Sequence, residues 1–492
     1  MTRRVTRRRA LAEAGLGAAA LLLAGCGTAR QAAAPDGSTL ASTWRDPTGD
    51  GTLQVAPGEP LIDRFELGAG GEPGRPLARL AHLTDAHALD AQSPARVTFL
   101  DRLGPPFTST FRPQEALTAQ VLAGAVAAVD AFGADAVIQG GDLIDNAQAN
   151  ELRQALAVLA GGRVDRASGH GAYVGVQSAA DADPFYYRPD IDAPRHPGLL
   201  GDALAAFESR GLRAPAHPVL GDHDVLVAGV LPPTPTTQAI AIGGHAVWDL
   251  PSGLDIPHVE VLAQTPDGLA APAAIGSLVD VLLTLPGVAV PADSGRRELA
   301  VGEALAALRA GGTLLDYHLD LGESVRVIVL DLVRRGGGSG GLVHPGQPAW
   351  LAAQLRGAGE RWVVVATHQP LTASDGGADL LALLDRHPRT LAVLSGHTHR
   401  SRIQARGAAN GGYWLITTAS LIDYPQQSRA LLIRAGADGG AVVETWMLDH
   451  VPARLGQISR ALSYLDPQGG RPQGFAGGRL DRNVRLHRPP PA

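Results

Sequence analysis

The sequence contains no lysine, a single cysteine and few aromatic residues (4%). All 42 basic side chains are therefore arginines, which excludes a lysine nucleophile or Schiff base. One cysteine excludes both a disulfide within the chain and a zinc site built from cysteines. The net charge is -6 and no basic cluster follows the first ten residues, which argues against a nucleic-acid-binding protein. With 45% hydrophobic and 18% charged residues, the 492-residue chain can bury a large core, so wholesale disorder is excluded.

Residues 1–25 have the pattern of an export signal. Arginines cluster before an apolar stretch from Ala10 to Ala24, which is too short for a convincing membrane span. The run that ends at Cys26 (Leu-Ala-Gly-Cys) resembles a lipoprotein signal-peptide box, and residues 6–11 resemble a twin-arginine motif. We therefore expect Cys26 to carry a lipid that anchors the exported protein to the outer face of the cell membrane. The alternatives are an ordinary secretory route for the arginines and a buried thiol for Cys26.

The rest of the chain divides by composition. Residues 26–76 are rich in Ala, Gly, Pro and Asp, which predicts a tether. From 77 to 450, short apolar runs alternate with amphipathic stretches, a pattern typical of a layered α/β domain. Two stretches within it, about 150–215 and 226–310, are too long for simple loops and are assigned to inserts. Residues 451–492 are assigned to a C-terminal extension.

Five polar clusters each follow a predicted strand. In chain order they contain Asp85 and His87; Asp142, Asp145 and Asn146; Asp222, His223 and Asp224; His368; and His397 and His399. Because ligands of open α/β sheets bind beyond the carboxyl ends of the strands, these clusters are expected to meet. Carboxylates and neutral imidazoles suit Mn, Fe and Zn. One Asp-x-His pattern arises easily by chance, but five clusters in this position predict a metal centre.

These clusters resemble the motifs of the calcineurin-like metallophosphoesterase superfamily: D-x-H, G-D-x-x-[D/N], G-N-H-[D/E], H and G-H-x-H. The resemblance covers residues 77 to 448, and the signal and wide motif spacing resemble an exported bacterial subgroup. It implies a four-layer αββα sandwich of two mixed sheets with long insertions, and two divalent metal ions (Mn, Fe, Zn or Co). It places on the first metal Asp85, His87, Asp142 and His399, and on the second Asp142 as a bridge with Asp222, His368 and His397.

The resemblance also implies the catalytic residues. It makes His223 the histidine that donates to the substrate phosphate or leaving group, with Asp224 orienting it, while Asp145 and Asn146 stabilise the loop or reach the phosphate. Two divalent cations that share a carboxylate lower the pKa of a bridging water from about 16 toward 7. The expected function is therefore hydrolysis of phosphate mono- or diesters of small molecules by metal-hydroxide attack. Asp222 departs from the family pattern, which has Asn there, and removes one positive charge from the centre.

Other interpretations stay open at this point. A phosphodiesterase or nucleotidase is as compatible with the motifs as a phosphomonoesterase. A non-catalytic metal-binding envelope protein on the same fold would follow if Asp222 had abolished turnover, although retention of His223 argues against it. A metal-dependent amide or lactone hydrolase on another fold is disfavoured by the order of the clusters. His82 lies inside a predicted strand and is expected to be a packed, hydrogen-bonded residue rather than a ligand.

Overall fold

A computed structural model describes residues 37–491, except 104–108, 167, 170, 182, 250–275, 278, 282–283, 310 and 452. The predicted export signal and Cys26 lie outside the described residues. The helices are α1 (Thr118–Phe132), α2 (Ala149–Ala160), α3 (Leu199–Leu204), α4 (Pro235–Ile242), α5 (Val301–Ala307), α6 (Gln347–Gly357), α7 (Gly377–Leu384) and α8 (Arg454–Leu465).

The strands alternate with these helices along much of the chain. They are β1 (Ser42–Arg45), β2 (Gln54–Pro57), β3 (Ile62–Arg64), β4 (Pro73–Leu83), β5 (Ala136–Gln139), β6 (Gly162–Val164), β7 (Phe207–Ser209), β8 (Ala216–Pro218), β9 (His245–Ala246), β10 (Val288–Ala289), β11 (Tyr317–Leu321), β12 (Val325–Leu330), β13 (Trp362–Thr367), β14 (Thr390–Ser395), β15 (Arg402–Arg406), β16 (Tyr413–Thr417), β17 (Gln427–Gly436), β18 (Ala441–Asp449) and β19 (Val484–Arg488).

Two mixed sheets form the centre of the molecule. The seven-stranded sheet has the order β3-β19-β18-β17-β4-β5-β8, in which β4, β5 and β8 are parallel neighbours. The six-stranded sheet has the order β11-β12-β13-β14-β16-β15, in which β12, β13, β14 and β16 are parallel. The carboxyl ends of each parallel group therefore lie at one edge of each sheet.

The sheets pack against each other and carry helices on their outer faces. Strand β12 shows how the sequence achieves this, because its valines 325, 327 and 329 pack between the sheets while Ile328 and Leu330 pack on the other face. Such a strand is buried on both faces, so its sequence is an almost continuous apolar run. Helices α6 and α7 cover the outer face of the six-stranded sheet, and α1 and α2 cover that of the seven-stranded sheet. The predicted four-layer αββα sandwich is confirmed.

Helix α1 shows the local rules most clearly. A short 3₁₀ turn occupies Glu115–Leu117, and the α-helix begins at Thr118. The helix ends where Gly133, at a φ of 71°, donates its N–H to the carbonyls of Val129 and Asp130. By length and composition the segment Glu115–Phe132 would also suit a membrane span, but 61% of it is buried inside the protein, as expected of a core helix.

The structure differs from the predicted tether and C-terminal extension. Residues 37–76 contain β1 to β3, and β3 pairs in parallel with β19 at the edge of the seven-stranded sheet. Thr39 Oγ1 donates to the carbonyl of Met447 at 2.8 Å. Helix α8 buries Leu462 in a cluster with Leu117 at the start of α1. Both chain ends of the described region therefore belong to the αββα domain, which corrects the predicted boundaries at 76 and 450.

Candidate metal centre

Five parallel strands deliver the predicted ligand residues to one place. Asp85, Asp142 and Asp222 follow β4, β5 and β8 of the seven-stranded sheet. His368 and His397 follow β13 and β14 of the six-stranded sheet. The carboxyl ends of both parallel groups meet, so the structure brings together all seven residues predicted to bind metal. Their role as ligands stays a prediction.

The backbone at this place is strained. Five of the seven residues have left-handed backbone angles, with φ of 53°, 42°, 48°, 65° and 56° for Asp85, His87, Asp142, His397 and His399. A residue with a side chain costs about 1–2 kcal/mol in this conformation, so it persists only where the surrounding structure enforces it. Clustering of such residues is typical of functional sites.

Two glycines permit the close approach of the clusters. A Cβ atom on Gly221 would lie 2.1 Å from Asp142 Oδ1, and one on Gly396 would lie 2.5 Å from Asp85 Oδ2. Both distances are shorter than any real contact, so a larger residue at either position would push a ligand carboxylate out of place. The glycine that precedes the ligand in these motifs is thus explained by packing.

The first ligand group consists of Asp85, His87 and His399. The Nε2 atoms of the two histidines lie 3.2 Å apart, and Asp85 Oδ1 lies 3.3 Å from His399 Nε2. Each Nδ1 faces a carboxylate, Asp145 for His87 at 2.9 Å and Asp423 for His399 at 2.6 Å. A carboxylate only accepts, so each Nδ1 carries a proton, and in the neutral ring each Nε2 then presents a lone pair. Two lone pairs and a carboxylate oxygen converge, and a cation between them would resolve the repulsion.

The second ligand group consists of Asp142, Asp222, His368 and His397. His368 Nδ1 faces the carbonyl of Gly140 at 2.8 Å, so it donates and leaves the lone pair on Nε2. That Nε2 lies 3.1 Å from Asp142 Oδ2 and 3.3 Å from Asp222 Oδ1. His397 Nδ1 lies 3.3 Å from the same Asp222 oxygen. This arrangement again directs electron pairs toward one point, as the ligands of a cation do.

Asp142 connects the two groups. Its Oδ2 lies 3.1 Å from His368 Nε2 in the second group and 3.7 Å from His87 Nε2 next to the first. Its Oδ1 accepts the backbone N–H of His223 at 3.0 Å, which fixes the carboxylate. The position matches the bridging role that the resemblance implies.

Unpartnered atoms support a cation at this place. His368 Nε2 and Asp222 Oδ2 are buried and have no hydrogen-bond partner among the described residues. An unmade hydrogen bond in a buried site costs about 1–3 kcal/mol, which a cation bound between these two atoms would offset. Burial alone would lower the pKa of His368, yet the carboxylates of Asp142 and Asp222 raise it well above its usual value. The site therefore favours added positive charge, and its oxygen and imidazole donors without thiolate fit Mn, Fe, Zn or Co.

His223 lies beside the first group, with its ring at 4.6 Å from that of His87. Its Nδ1 donates to the carbonyl of Asp145 at 2.6 Å. Burial would lower its pKa, but the carboxylates of Asp142 and Asp145 raise it overall. The ring is thus held by a backbone carbonyl.

Asp224 differs from the prediction that it orients His223. Its Oδ1 accepts the backbone N–H groups of Leu143 at 2.8 Å and Ile144 at 3.2 Å, and its Oδ2 accepts that of Gly221 at 2.9 Å. Consecutive side chains on this turn point in different directions, so the carboxylate secures the loop that carries Asp142 instead of the imidazole of His223. This is a correction of the predicted contact.

Asn146 stabilises its loop. Its Oδ1 accepts the backbone N–H of Ala228 at 2.9 Å, its Nδ2 lies 3.4 Å from Asp145 Oδ2, and the residue is buried. Of the two roles considered for Asn146, these contacts favour loop stabilisation over contact with a phosphate. His82 is buried with its Nδ1 2.8 Å from Thr418 Oγ1, as expected of a packed residue.

Four residues that support the ligands were missed by the sequence analysis. Asp423 holds His399, and Arg112 pairs with Asp423. Arg96 pairs with Asp145, and Gln369 Nε2 donates to Asp222 Oδ1 at 2.9 Å. Only Gln369, next to His368, had a local signal; the others lie far in sequence from the residues they support.

Comparisons with solved structures found matches of low sequence identity and low TM-score. A dimetal phosphatase from Danio rerio is 14% identical over 76% of this chain and 100% of that chain, with a TM-score of 0.37. A sulfate thiohydrolase from Thermus thermophilus, solved with glycerol, is 12% identical over 80% of this chain and 60% of that chain, with a TM-score of 0.29. A purple acid phosphatase from yellow lupin seeds is 12% identical over 77% of this chain and 53% of that chain, with a TM-score of 0.31.

No protein-family model matches the chain, and no curated protein matches it. At these identities and TM-scores the structural matches carry no information on substrate. The resemblance to calcineurin-like metallophosphoesterases is confirmed at the level of the fold, by the two-sheet sandwich and the five strand ends that meet. The finer resemblance to an exported subgroup stays a prediction.

Proposed function

We propose that the protein hydrolyses phosphate esters with two divalent cations, one held by each ligand group. The observation that carries the proposal is the convergence of carboxylate and imidazole ligand atoms in two groups, with the Asp142 carboxylate between them. Two such cations supply a water made nucleophilic near neutral pH and positive charge that stabilises the phosphoryl oxygens. The ligand set, with three carboxylates and four imidazoles, would leave a net charge of about +1 for that purpose.

The protein's own residues determine how a substrate approaches. The side chains of His397 and His223 are 23% and 22% exposed, whereas those of Asp85 and His368 are fully buried. The substrate phosphate therefore reaches the site from the side of His397 and His223. The Nδ1 proton of His223 is donated to the backbone carbonyl of Asp145. A proton for the leaving group would therefore come from Nε2 of the cationic form of His223.

We also propose that the protein acts outside the cell, attached to the membrane by a lipid on Cys26. Support for this comes from the sequence of residues 1–26 alone. A substrate at that location would be a soluble small-molecule phosphoester on the outer face of the membrane.

The test uses the full chain purified in detergent. Metal content is measured first, and hydrolysis of a phosphate monoester and a diester is then followed before and after exhaustive chelation. We expect about two metal ions per chain, loss of activity on chelation, and recovery with Mn, Fe, Zn or Co. The variant His318→Ala, at an exposed position of β11, is a matched control that should behave like the wild type.

Two outcomes would contradict the proposal differently. Full activity in metal-free protein would refute the metal-dependent mechanism. Two bound metals without turnover on any phosphoester would favour the non-catalytic metal-binding protein instead.

A further inference from the structure

We propose that Asp423 and Asp145, each paired with a buried arginine, are positioning residues that make the first ligand group the tighter cation site. The inference rests on the proposed function, because it concerns the same two sites. It predicts an order of metal loading that the ligand residues alone do not give, since each group has two imidazoles and the second group has one carboxylate more.

The His399 side of the first group shows the arrangement most fully. His399 Nδ1 lies 2.6 Å from Asp423 Oδ2. Asp423 in turn accepts from Arg112, at 2.5 Å from Nε and 3.2 Å from Nη2. Arg112 and Asp423 are both only 3% exposed. A buried carboxylate is costly unless it is paired, and the guanidinium group keeps Asp423 ionised against the ring.

The His87 side repeats the arrangement. His87 Nδ1 lies 2.9 Å from Asp145 Oδ1, and Asp145 Oδ2 accepts from Arg96. Glu115 links the two sides, since its Oε2 accepts Arg96 Nη2 at 2.6 Å and the backbone N–H of Arg112 at 2.9 Å. One segment, residues 96–115, thus supplies both guanidinium groups and the carboxylate between them.

The second group lacks this support among the described residues. His368 Nδ1 donates to the neutral carbonyl of Gly140 at 2.8 Å, and Gln369 contributes a neutral amide to Asp222. An ionised acceptor on the far nitrogen fixes the tautomer and raises the basicity of a ligand imidazole more than a neutral carbonyl does. Both histidines of the first group have such an acceptor, so that group should bind its cation more tightly.

The test is a titration of Zn²⁺ into the metal-free full chain in competition with a chromophoric chelator. Wild type should bind two equivalents in two separable steps. His399→Ala should remove the tighter step and His368→Ala the weaker one, which assigns the steps to sites. Asp423→Asn keeps the shape but removes the charge, and it should weaken the tighter step about 10–100-fold and leave the weaker step nearly unchanged.

A matched control separates positioning from general damage. Asp192→Asn breaks another buried pair, with Arg188 at 3.2 Å, and contacts no ligand residue, so both zinc affinities should stay unchanged. If thermal unfolding shows that Asp423→Asn does not fold, Arg112→Gln tests the same arrangement with the carboxylate left in place.

The possible outcomes distinguish failure of this inference from failure of the proposed function. Two zinc equivalents with unchanged affinities in Asp423→Asn, or weakening of the weaker step alone, would overturn this inference and leave the proposed function standing. Absence of zinc binding in the wild type would overturn both.

Discussion

Asp222→Asn is the most informative change, because it restores the residue usual in the resembling family and removes one charge. Asp222 is 1% exposed, with Oδ1 at 3.3 Å from both His368 Nε2 and His397 Nδ1. With two divalent cations the centre would change from about +1 to about +2. A phosphate monoester carries one more negative charge than a diester, so the change favours the monoester.

The magnitude follows from Coulomb's law. One added unit charge at about 4 Å in an effective dielectric near 20 is worth up to roughly 4 kcal/mol. Screening by solvent on the open side reduces this value, and about 1.4 kcal/mol already corresponds to a tenfold change in kcat/KM. We therefore expect Asp222→Asn to move the monoester-to-diester ratio of kcat/KM toward the monoester by about 10-fold or more.

Gln369 adds a second consequence. In the wild type, Asp222 Oδ1 accepts from Gln369 at 2.9 Å and lies 3.3 Å from His368 Nε2 and His397 Nδ1, while Oδ2 is a second oxygen with no hydrogen-bond partner among the described residues. The asparagine side chain has a single oxygen, so in the variant that one atom cannot serve the amide and the cation equally well. The variant should therefore lose the second metal more readily on dilution, and adding Gln369→Leu should restore part of that affinity.

The assay measures kcat/KM for one monoester and one diester, with metal content, in wild type, Asp222→Asn and a control. Asp385→Asn is the matched control, since it makes the same isosteric change in a partly exposed pair with Arg406 that is remote from the ligand residues. An unchanged substrate ratio together with unchanged metal affinity in Asp222→Asn would refute the charge argument.

Three further predictions test other parts of the molecule. His223→Ala should lower turnover about 10²–10⁴-fold with normal metal content, and loss of both metals would show that the residue is a ligand instead of an acid. Cys26→Ala should release the protein from membranes, which fractionation measures; continued attachment would indicate an uncleaved span. Burial raises the pKa of Glu298 to about 7, because the ionised carboxylate is less favourable in the folded protein than in water. The folded state therefore becomes less stable relative to the unfolded state as the pH rises from about 4.5 to 7. Glu298→Gln should therefore increase the free energy of unfolding by up to roughly 3 kcal/mol at pH 8 and little at pH 4.5, as denaturant titrations would show; an equal effect at both values would contradict this.

The sequence predicted the central strands and the gathering of Asp85, Asp142 and His368 for a local reason. Each follows a short apolar run that is buried on both faces, so the strand and the polar residue at its end are encoded within a few neighbouring positions. Strand β8 is the exception, since it ends at Pro218, four residues before Asp222. Beyond that end the buried Val219 still donates its backbone N–H to the carbonyl of Gln139 in β5 at 2.7 Å, and Leu220 is buried as well.

The prediction of a tether and of a C-terminal extension was wrong because amino-acid composition is a poor guide to edge strands. Residues 62–64 form β3 with only three residues, and β19 comprises five, of which two are arginines. Such strands gain their stability from pairing with each other and with β18, partners far away in sequence. No property of the segment 26–76 alone predicts that pairing.

The contacts that support the ligand residues could not be predicted from the sequence for a different reason. The resemblance implied that Asp224 orients His223, but the Asp224 carboxylate accepts the backbone N–H groups of Leu143 and Ile144 in another loop. Arg112 and Asp423 are 311 residues apart and neither belongs to a motif, yet their pair determines which nitrogen of His399 carries a proton. The local sequence motifs identify which residues are candidate ligands. The protonation state of each ligand histidine depends on tertiary contacts, which form only in the folded chain. A difference in affinity between the two cation sites would therefore originate in Asp145, Asp423 and the arginines that pair with them, and not in the ligand residues themselves.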